Sequence, residues 1–362
     1  MKHRVLIPTF LMSAICTTAA FAINKTPVSR ESAQAPVQQS AVVEGADNFY
    51  KSDQVTMQRV TFKNQYDMQV VGNLFLPKTL KQNVKHPAII VGHPMGAVKE
   101  QSSNLYAQKL AEQGFVTLAI DLSFWGESEG SPRNLIAPEL YAEDFSAAVD
   151  FLGTRPFVDR ERIGGLGICG SASFVISAAK LDSRIKVVAT VSMYDMGAAA
   201  RNGLRKSVTA EQRKQMIAAA AAQRYVEFTG GETAYVGGTT NELTESTDPV
   251  QREFFDFYRT PRGAFTPKGS SPERTTKPTM TSVVRFMNYY PLERIEEIGR
   301  PLLFVTGTEA HSREFSEDAY NRAVEPKEIV RVPNTGHVDL YDRVNLIPFD
   351  KLTAFFNQHL SR

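Results

Sequence analysis

Apolar and polar residues follow two different patterns along this chain. Residues 55–62 and 68–76 alternate apolar with polar side chains around a short polar run, which predicts an antiparallel hairpin at the edge of a sheet. Further on, continuous apolar runs are separated by segments with helical periodicity. The apolar runs are residues 88–91, 115–120, 162–166 and 185–191, and the helical segments are 102–113, 138–153 and 172–180. Such an alternation predicts a parallel sheet with right-handed crossovers.

The alternation stops near residue 197. Residues 198–284 contain an alanine-rich segment that starts with Thr209 and Gln212 in capping-box spacing, followed by an aromatic cluster at 254–258. We interpret this stretch as an insertion. It is either a helical excursion packed on the core or a cap whose aromatic side chains line a pocket for an acyl or leaving group.

The strand pattern resumes after the insertion. Apolar runs at 301–305 and 328–332 predict two more strands, and an amphipathic segment at 348–360 predicts the last helix. The predicted fold class is therefore α/β, with a mostly parallel sheet flanked by helices and a helical cap insertion.

The N-terminal segment has the outline of a secretory signal peptide at 1–22, with a basic start, an apolar run and an A-x-A cleavage site. Cleavage there predicts export, to the periplasm or the medium. A retained transmembrane helix and a lipoprotein attached through Cys16 are the alternatives. Residues 23–49, rich in Ala, Gln, Ser and Pro, predict a flexible linker before one domain at 50–362.

Charge and cysteine content narrow the chemistry. The net charge of +2 does not indicate a basic surface for binding nucleic acid, and no zinc-ligand spacing is present. We therefore predict a small-molecule substrate without a metal or organic cofactor. The chain has two cysteines, and signal cleavage leaves Cys169 alone. An unpaired cysteine in an exported protein indicates a reactive thiol, which we expect to be recessed in a pocket.

Residues 167–171, Gly-Ile-Cys-Gly-Ser, lie between an apolar run and a helical segment. Strand, sharp turn and helix is the context of a nucleophile elbow. Such a turn strains the backbone of the nucleophile and needs small side chains two positions away on either side, here Gly167 and Ser171. The pattern predicts Cys169 as the nucleophile and the Gly170 amide as an oxyanion donor.

Two other interpretations of this stretch stay open. A lone cysteine is often a small buried apolar residue. In a second frame, Ser171 is the nucleophile, because its neighbours two positions away are also small.

A cysteine nucleophile needs a base, and the base needs orientation. His337 follows a glycine in the loop between the last predicted strand and the last helix, so we predict it as the base. The acid position is less well defined by spacing. Glu309, after the strand at 301–305, is the preferred acid, and Asp195, after the strand at 185–191, is the alternative.

The second oxyanion donor should come from the loop after the strand at 88–91. Pro94 has no N–H, so we predict the amide of Met95. The predicted substrate pocket further includes His93, which we expect chiefly to order this loop, together with Trp125 and Tyr194.

These motifs together resemble an α/β-hydrolase, and more narrowly the dienelactone-hydrolase-related branch with a cysteine nucleophile. They are His93-Pro94-Met95-Gly96, residues 121–128, the elbow at 167–171 and Gly336-His337-Val338-Asp339-Leu340. The resemblance implies a Cys-His-acid triad and an acyl-enzyme intermediate, with hydrolysis of an ester, lactone or thioester. The alternatives are an acyltransferase using the same site and a non-catalytic binding protein on the same fold.

Overall fold

In the computed structural model, which describes residues 43–361, eight strands form one sheet. They are β1 (Val55–Lys63), β2 (Gln69–Pro77), β3 (His86–Gly92), β4 (Val116–Ile120), β5 (Val158–Ile168), β6 (Ile185–Val191), β7 (Leu302–Gly307) and β8 (Lys327–Val332). Their spatial order is β1-β2-β4-β3-β5-β6-β7-β8. β2 runs antiparallel to both of its neighbours, and every other pair is parallel. The predicted α/β class with a mostly parallel sheet is confirmed.

Helices cover both faces of the sheet. They are α1 (Ser103–Glu112), α2 (Pro138–Gly153), α3 (Ser171–Leu181), α4 (Met196–Asn202), α5 (Ala210–Phe228), α6 (Pro249–Tyr258), α7 (Met280–Val283), α8 (Arg313–Arg322), α9 (Asp339–Asp342) and α10 (Phe349–His359). α2 packs against α3 on one face, and α1 packs with α10 on the other. None of the helices within residues 43–361 has the length and apolar character that a membrane crossing requires.

The helices between β6 and β7 form the predicted insertion. α5 begins with the predicted capping box, in which the Thr209 hydroxyl accepts from the Gln212 amide and the Gln212 side chain accepts from the Thr209 amide. The Arg259 guanidinium, just after α6, donates to oxygens of Thr239 and Thr275. These bonds connect the irregular stretches of the insertion to α6.

The N-terminal boundary of the fold lies earlier than predicted. Asn48, assigned to the linker, is buried, and its side chain accepts from the Ser102 amide at 2.6 Å. Ala46 pairs with Arg343 in an isolated bridge. The chain is therefore fixed to the domain from about residue 43, because these polar bonds join it to the loops before α1 and after α9. The predicted signal peptide and residues 23–42 lie outside the described residues and stay predictions.

Candidate active site

Cys169 occupies the sharp turn between β5 and α3 with a backbone φ of 54°. A side chain on Gly167 would place its Cβ 2.3 Å from the carbonyl oxygen of Ser171, and one on Gly170 would come 2.6 Å from the Cβ of Met95. Both contacts are too short for any residue but glycine. The small residues around Cys169 are thus required by the close approach of the helix start and the β3–α1 loop.

The sulfur of Cys169 is surrounded by three hydrogen-bonding groups. The amides of Met95 and Gly170 donate to it, and the hydroxyl of Tyr341 shares a hydrogen bond with it. Burial is the dominant influence and raises the pKa of the thiol to about 11, although these three bonds act in the opposite direction. Cys169 is therefore a protonated thiol at neutral pH, and not a preformed thiolate.

His337 is completely buried, and both of its ring nitrogens have hydroxyl partners. Nε2 lies 2.9 Å from the Tyr341 hydroxyl, and Nδ1 lies 2.6 Å from the Ser312 hydroxyl. Burial lowers the pKa of His337 well below its usual value, and the nearby His311 lowers it further. The imidazole is therefore neutral at physiological pH and can accept a proton.

Tyr341 joins the predicted nucleophile to the predicted base, a role that the sequence analysis missed. Its hydroxyl contacts both the Cys169 sulfur and His337 Nε2, and burial raises its own pKa well above the usual value. The phenol therefore keeps its proton. One turn of the chain separates His337 from Tyr341 at the start of α9, so the i,i+4 spacing was a signal available in the sequence.

The structure corrects both predicted acids, because neither carboxylate is brought to His337. Glu309 is exposed, and its backbone amide donates to the Thr335 carbonyl. Asp195 caps α4 and accepts from the Ala198 amide at 2.7 Å. The Nδ1 position that an acid would take is filled by Ser312, three residues after Glu309.

A carboxylate from the insertion also reaches the histidine loop. Glu253 on α6 accepts from the Val338 amide at 2.7 Å and bonds His311 Nδ1 at 2.8 Å. The His311 ring in turn lies against His337, with centroids 4.6 Å apart. Glu253 therefore fixes the histidine loop to the insertion and acts on His337 only through His311.

Three further predicted site residues are placed away from the Cys169 sulfur. Ser171 is buried in the first turn of α3, where its hydroxyl donates to the His93 carbonyl, so it does not occupy the strained turn. His93 is buried beneath the loop, with Nδ1 bonded to the Pro94 carbonyl and Nε2 accepting from the Leu122 amide. Trp125 is buried with its indole N–H donating to Tyr141. His93 is corrected as a pocket residue, because its ring is held by bonds inside the core and lines neither cavity of the site. Trp125 does not line the cavity over Cys169, but it borders a second cavity beside it.

A cavity of about 570 Å³ opens above Cys169. Its lining has no charged side chain and is mostly apolar: Met95, Ile136, Cys169, Tyr194, Met196, Gly238, Thr239, Phe254, Tyr258, Thr276, Pro278, Phe286 and Tyr341. The insertion supplies Phe254, Tyr258 and the glycine- and threonine-bearing segments, so it forms the roof of the cavity. Within residues 43–361, no three His, Cys, Asp or Glu side chains are grouped so as to hold a metal ion.

A residue in a strained strand-to-helix turn, two loop amides beside its side chain and a buried histidine after the last strand define an α/β-hydrolase. A model of the dienelactone hydrolase family matches residues 74–248. The chain belongs to this family and is a hydrolase that acts on ester bonds.

The chain is similar to several bacterial and fungal proteins. An uncharacterized protein of Pseudomonas aeruginosa, PA2218, is 46% identical over 86% of this chain and 83% of its own length. Its crystal structure superposes with a TM-score of 0.81, covering 90% of this chain and all of that one. The uncharacterized protein YcjY of Escherichia coli is 33% identical over 78% of this chain and 92% of its own length. The thiohydrolase aneE of Aspergillus aculeatus is 32% identical over 39% of this chain and 42% of its length.

Proposed function

We propose that the protein hydrolyses an ester, lactone or thioester through a covalent acyl intermediate on Cys169. The observation that carries the proposal is the surroundings of the sulfur, which contacts the Tyr341 hydroxyl on one side and the Met95 and Gly170 amides on the other. A nucleophile needs a path for its proton and donors for the oxyanion it creates, and the same three groups supply both.

The proton path runs through Tyr341. As the sulfur attacks the acyl carbon, the thiol proton passes to the Tyr341 oxygen and the phenol proton passes to His337 Nε2, while Nδ1–H donates to Ser312. At a thiol pKa of about 11, only about one thiol in 10⁴ is ionised at pH 7. Proton removal during the attack is therefore required, as in general-base catalysis.

The remaining steps balance around the same groups. The amides of Met95 and Gly170 hold the negative oxygen of the tetrahedral intermediate. When the intermediate collapses, the bond to the leaving group breaks and the proton returns from His337 to that leaving group. Water then gives a proton to His337 while its oxygen bonds to the acyl carbon. The carbon–sulfur bond of Cys169 breaks, the acid is released, and the proton on His337 returns through Tyr341 to the sulfur.

The lining of the cavity above Cys169 favours a substrate whose acyl group is neutral and apolar. No cation among its lining residues offers a partner to an acyl carboxylate, and burying an unpaired charge is costly. The aromatic roof of Phe254 and Tyr258 suits a flat or branched hydrocarbon group. The thiohydrolase name of the aneE relative favours thioesters among the candidate substrates.

Turnover of p-nitrophenyl acetate, butyrate and hexanoate by the wild type, Cys169→Ala and Ser171→Ala tests the proposal. We expect loss of turnover in the cysteine variant only, and intact-mass spectrometry of the wild type should show an acyl adduct on Cys169. Unchanged turnover in Cys169→Ala would refute the proposed nucleophile, and loss in Ser171→Ala alone would transfer that role to the serine.

A further inference from the structure

A second cavity, of about 600 Å³, lies beside the cavity over Cys169 and, unlike it, is lined by charged side chains. Three cations line it, Arg133, Lys268 and Arg274, and no Asp or Glu does. The other lining residues are glycines, the polar residues Gln101, Asn134, Ser270, Thr275 and Thr276, and the apolar residues Val98, Trp125, Phe265 and Pro267. A cavity with cations and no acid favours an anionic occupant.

The three cations have no carboxylate partner within ion-pair distance in the part of the chain that the structure describes. The half-buried guanidinium of Arg133 donates only to backbone carbonyls, those of Gly126, Ser128 and Gly130. Its pKa is lowered chiefly by burial. The charge of Asp121 acts on Arg133, but that carboxylate is bonded to Lys99 at 2.7 Å.

A further cation lies behind the wall of this cavity. Arg259 donates to oxygens of Thr239, Thr240, Thr275 and Thr276, all of them carbonyls or hydroxyls. Burial lowers the pKa of Lys277, and the nearby positive charge of Arg259 lowers it further. Glu273, which is exposed, is the carboxylate whose charge acts on both. This side of the insertion therefore keeps an excess of positive charge.

The two cavities meet at Thr276, which lines both of them. The partition is thin, because a Cβ on Gly96 would come 2.7 Å from the Thr276 carbonyl oxygen. Gly96 directly follows Met95, whose amide faces the Cys169 sulfur. The shared Thr276 lets a molecule whose acyl group lies over Cys169 extend its other end toward the second cavity.

We propose that the second cavity, which we call the cationic cavity, binds a carboxylate or phosphate on the leaving-group side of the substrate. This inference rests on the proposed hydrolytic function of Cys169. The substrate then has two parts: a neutral acyl group bound in the apolar cavity over Cys169, and a departing alcohol or thiol whose anionic group is bound in the cationic cavity. A charge-assisted bond to an arginine or lysine supplies specificity that the apolar cavity cannot.

The test compares two aryl acetates that differ in leaving-group charge, 4-acetoxybenzoate and its methyl ester. Their kcat/KM values are divided by their rates of hydrolysis by hydroxide, which removes the difference in intrinsic reactivity. We expect the wild type to favour the anionic ester by about 10-fold or more. Lys268→Ala combined with Arg274→Ala should reduce that ratio to near one. Lys214→Ala, which removes an exposed lysine from α5 of the same insertion, is the matched control and should keep it.

Inhibition by inorganic phosphate distinguishes a site for an anionic group of the substrate from a site for a separate anion. Competitive inhibition of the anionic ester, lost in the double variant, supports a substrate subsite. A phosphate-dependent rise in Tm without any preference for the anionic ester would overturn the leaving-group assignment and indicate a separate anion site. Absence of both effects would overturn the proposal entirely. Failure of the proposed function is distinct from these results, because the wild type would then turn over neither ester faster than Cys169→Ala.

Discussion

Tyr341→Phe removes a single oxygen from the middle of the proposed proton path. The ring itself should stay in place, because it packs edge-on against Phe257 with centroids 5.2 Å apart. The oxygen, in contrast, contacts both the Cys169 sulfur and His337 Nε2, at 2.9 Å from the latter. The substitution therefore interrupts proton transfer with little change in the shape of the cavity.

The expected loss follows from what the hydroxyl does. General acid–base transfer contributes about 10²–10⁴-fold to a rate, so kcat/KM should fall by about 10²-fold or more, equivalent to about 3 kcal/mol. The same hydroxyl lowers the pKa of the Cys169 thiol against the effect of burial. Its removal should therefore raise that pKa above about 11.

The assays are ester turnover as a function of pH and thiol ionisation followed by ultraviolet absorbance. Tyr106→Phe is the matched control, since it removes an equally buried hydroxyl that donates to the Leu340 carbonyl, outside the cavity. That control should lose stability, by about 1 kcal/mol, without a comparable loss of turnover. If Tyr341→Phe kept more than about a tenth of the wild-type kcat/KM, His337 would have to take the proton directly and the relay would be refuted.

Three other predictions concern the same site. Alkylation of Cys169 by iodoacetamide should rise about tenfold per pH unit from neutral pH toward the thiol pKa of about 11, and a plateau at neutral pH would indicate a preformed thiolate. Ser312→Ala leaves His337 Nδ1 buried without a partner and should lower kcat/KM about 10-fold. Glu309→Gln should change kcat/KM less than about twofold. A larger loss in Glu309→Gln than in Ser312→Ala would restore Glu309 as the acid. Gly170→Ala forces a Cβ to within 2.6 Å of Met95 and should lower kcat by about 10²–10³-fold; an unchanged kcat would exclude these amides as oxyanion donors.

The sequence predicted the sheet and its helices closely because their signals are local. Residues 138–153 and 185–191 were predicted from periodicity and apolar runs, and both segments have those bounds in the structure. The turn at Cys169 was equally accessible. Its small neighbours at fixed offsets are a direct consequence of the positive φ and the close approach of α3.

The hydrogen-bond partners of the site were beyond such patterns. Which group meets His337 Nδ1 depends on how the loop after β7 turns, and this loop leaves Glu309 exposed and brings the Ser312 hydroxyl to the ring. Glu253 reaches the histidine loop only because the insertion folds back over the sheet edge. The excess of cations around the second cavity likewise arises from side chains of separate loops brought together by that folding.

Local backbone and packing rules thus placed the sharp turn at Cys169 and the histidine loop from the sequence alone, because neighbours in the chain determine turns, strands and helices. The hydroxyl partners of His337, on which the proposed proton path depends, and the pairing of a neutral cavity with a cationic one were set by tertiary structure. The pKa values of Cys169 and His337 were also decided by tertiary structure. Burial has the largest effect on both, and burial depends on how distant parts of the chain pack together.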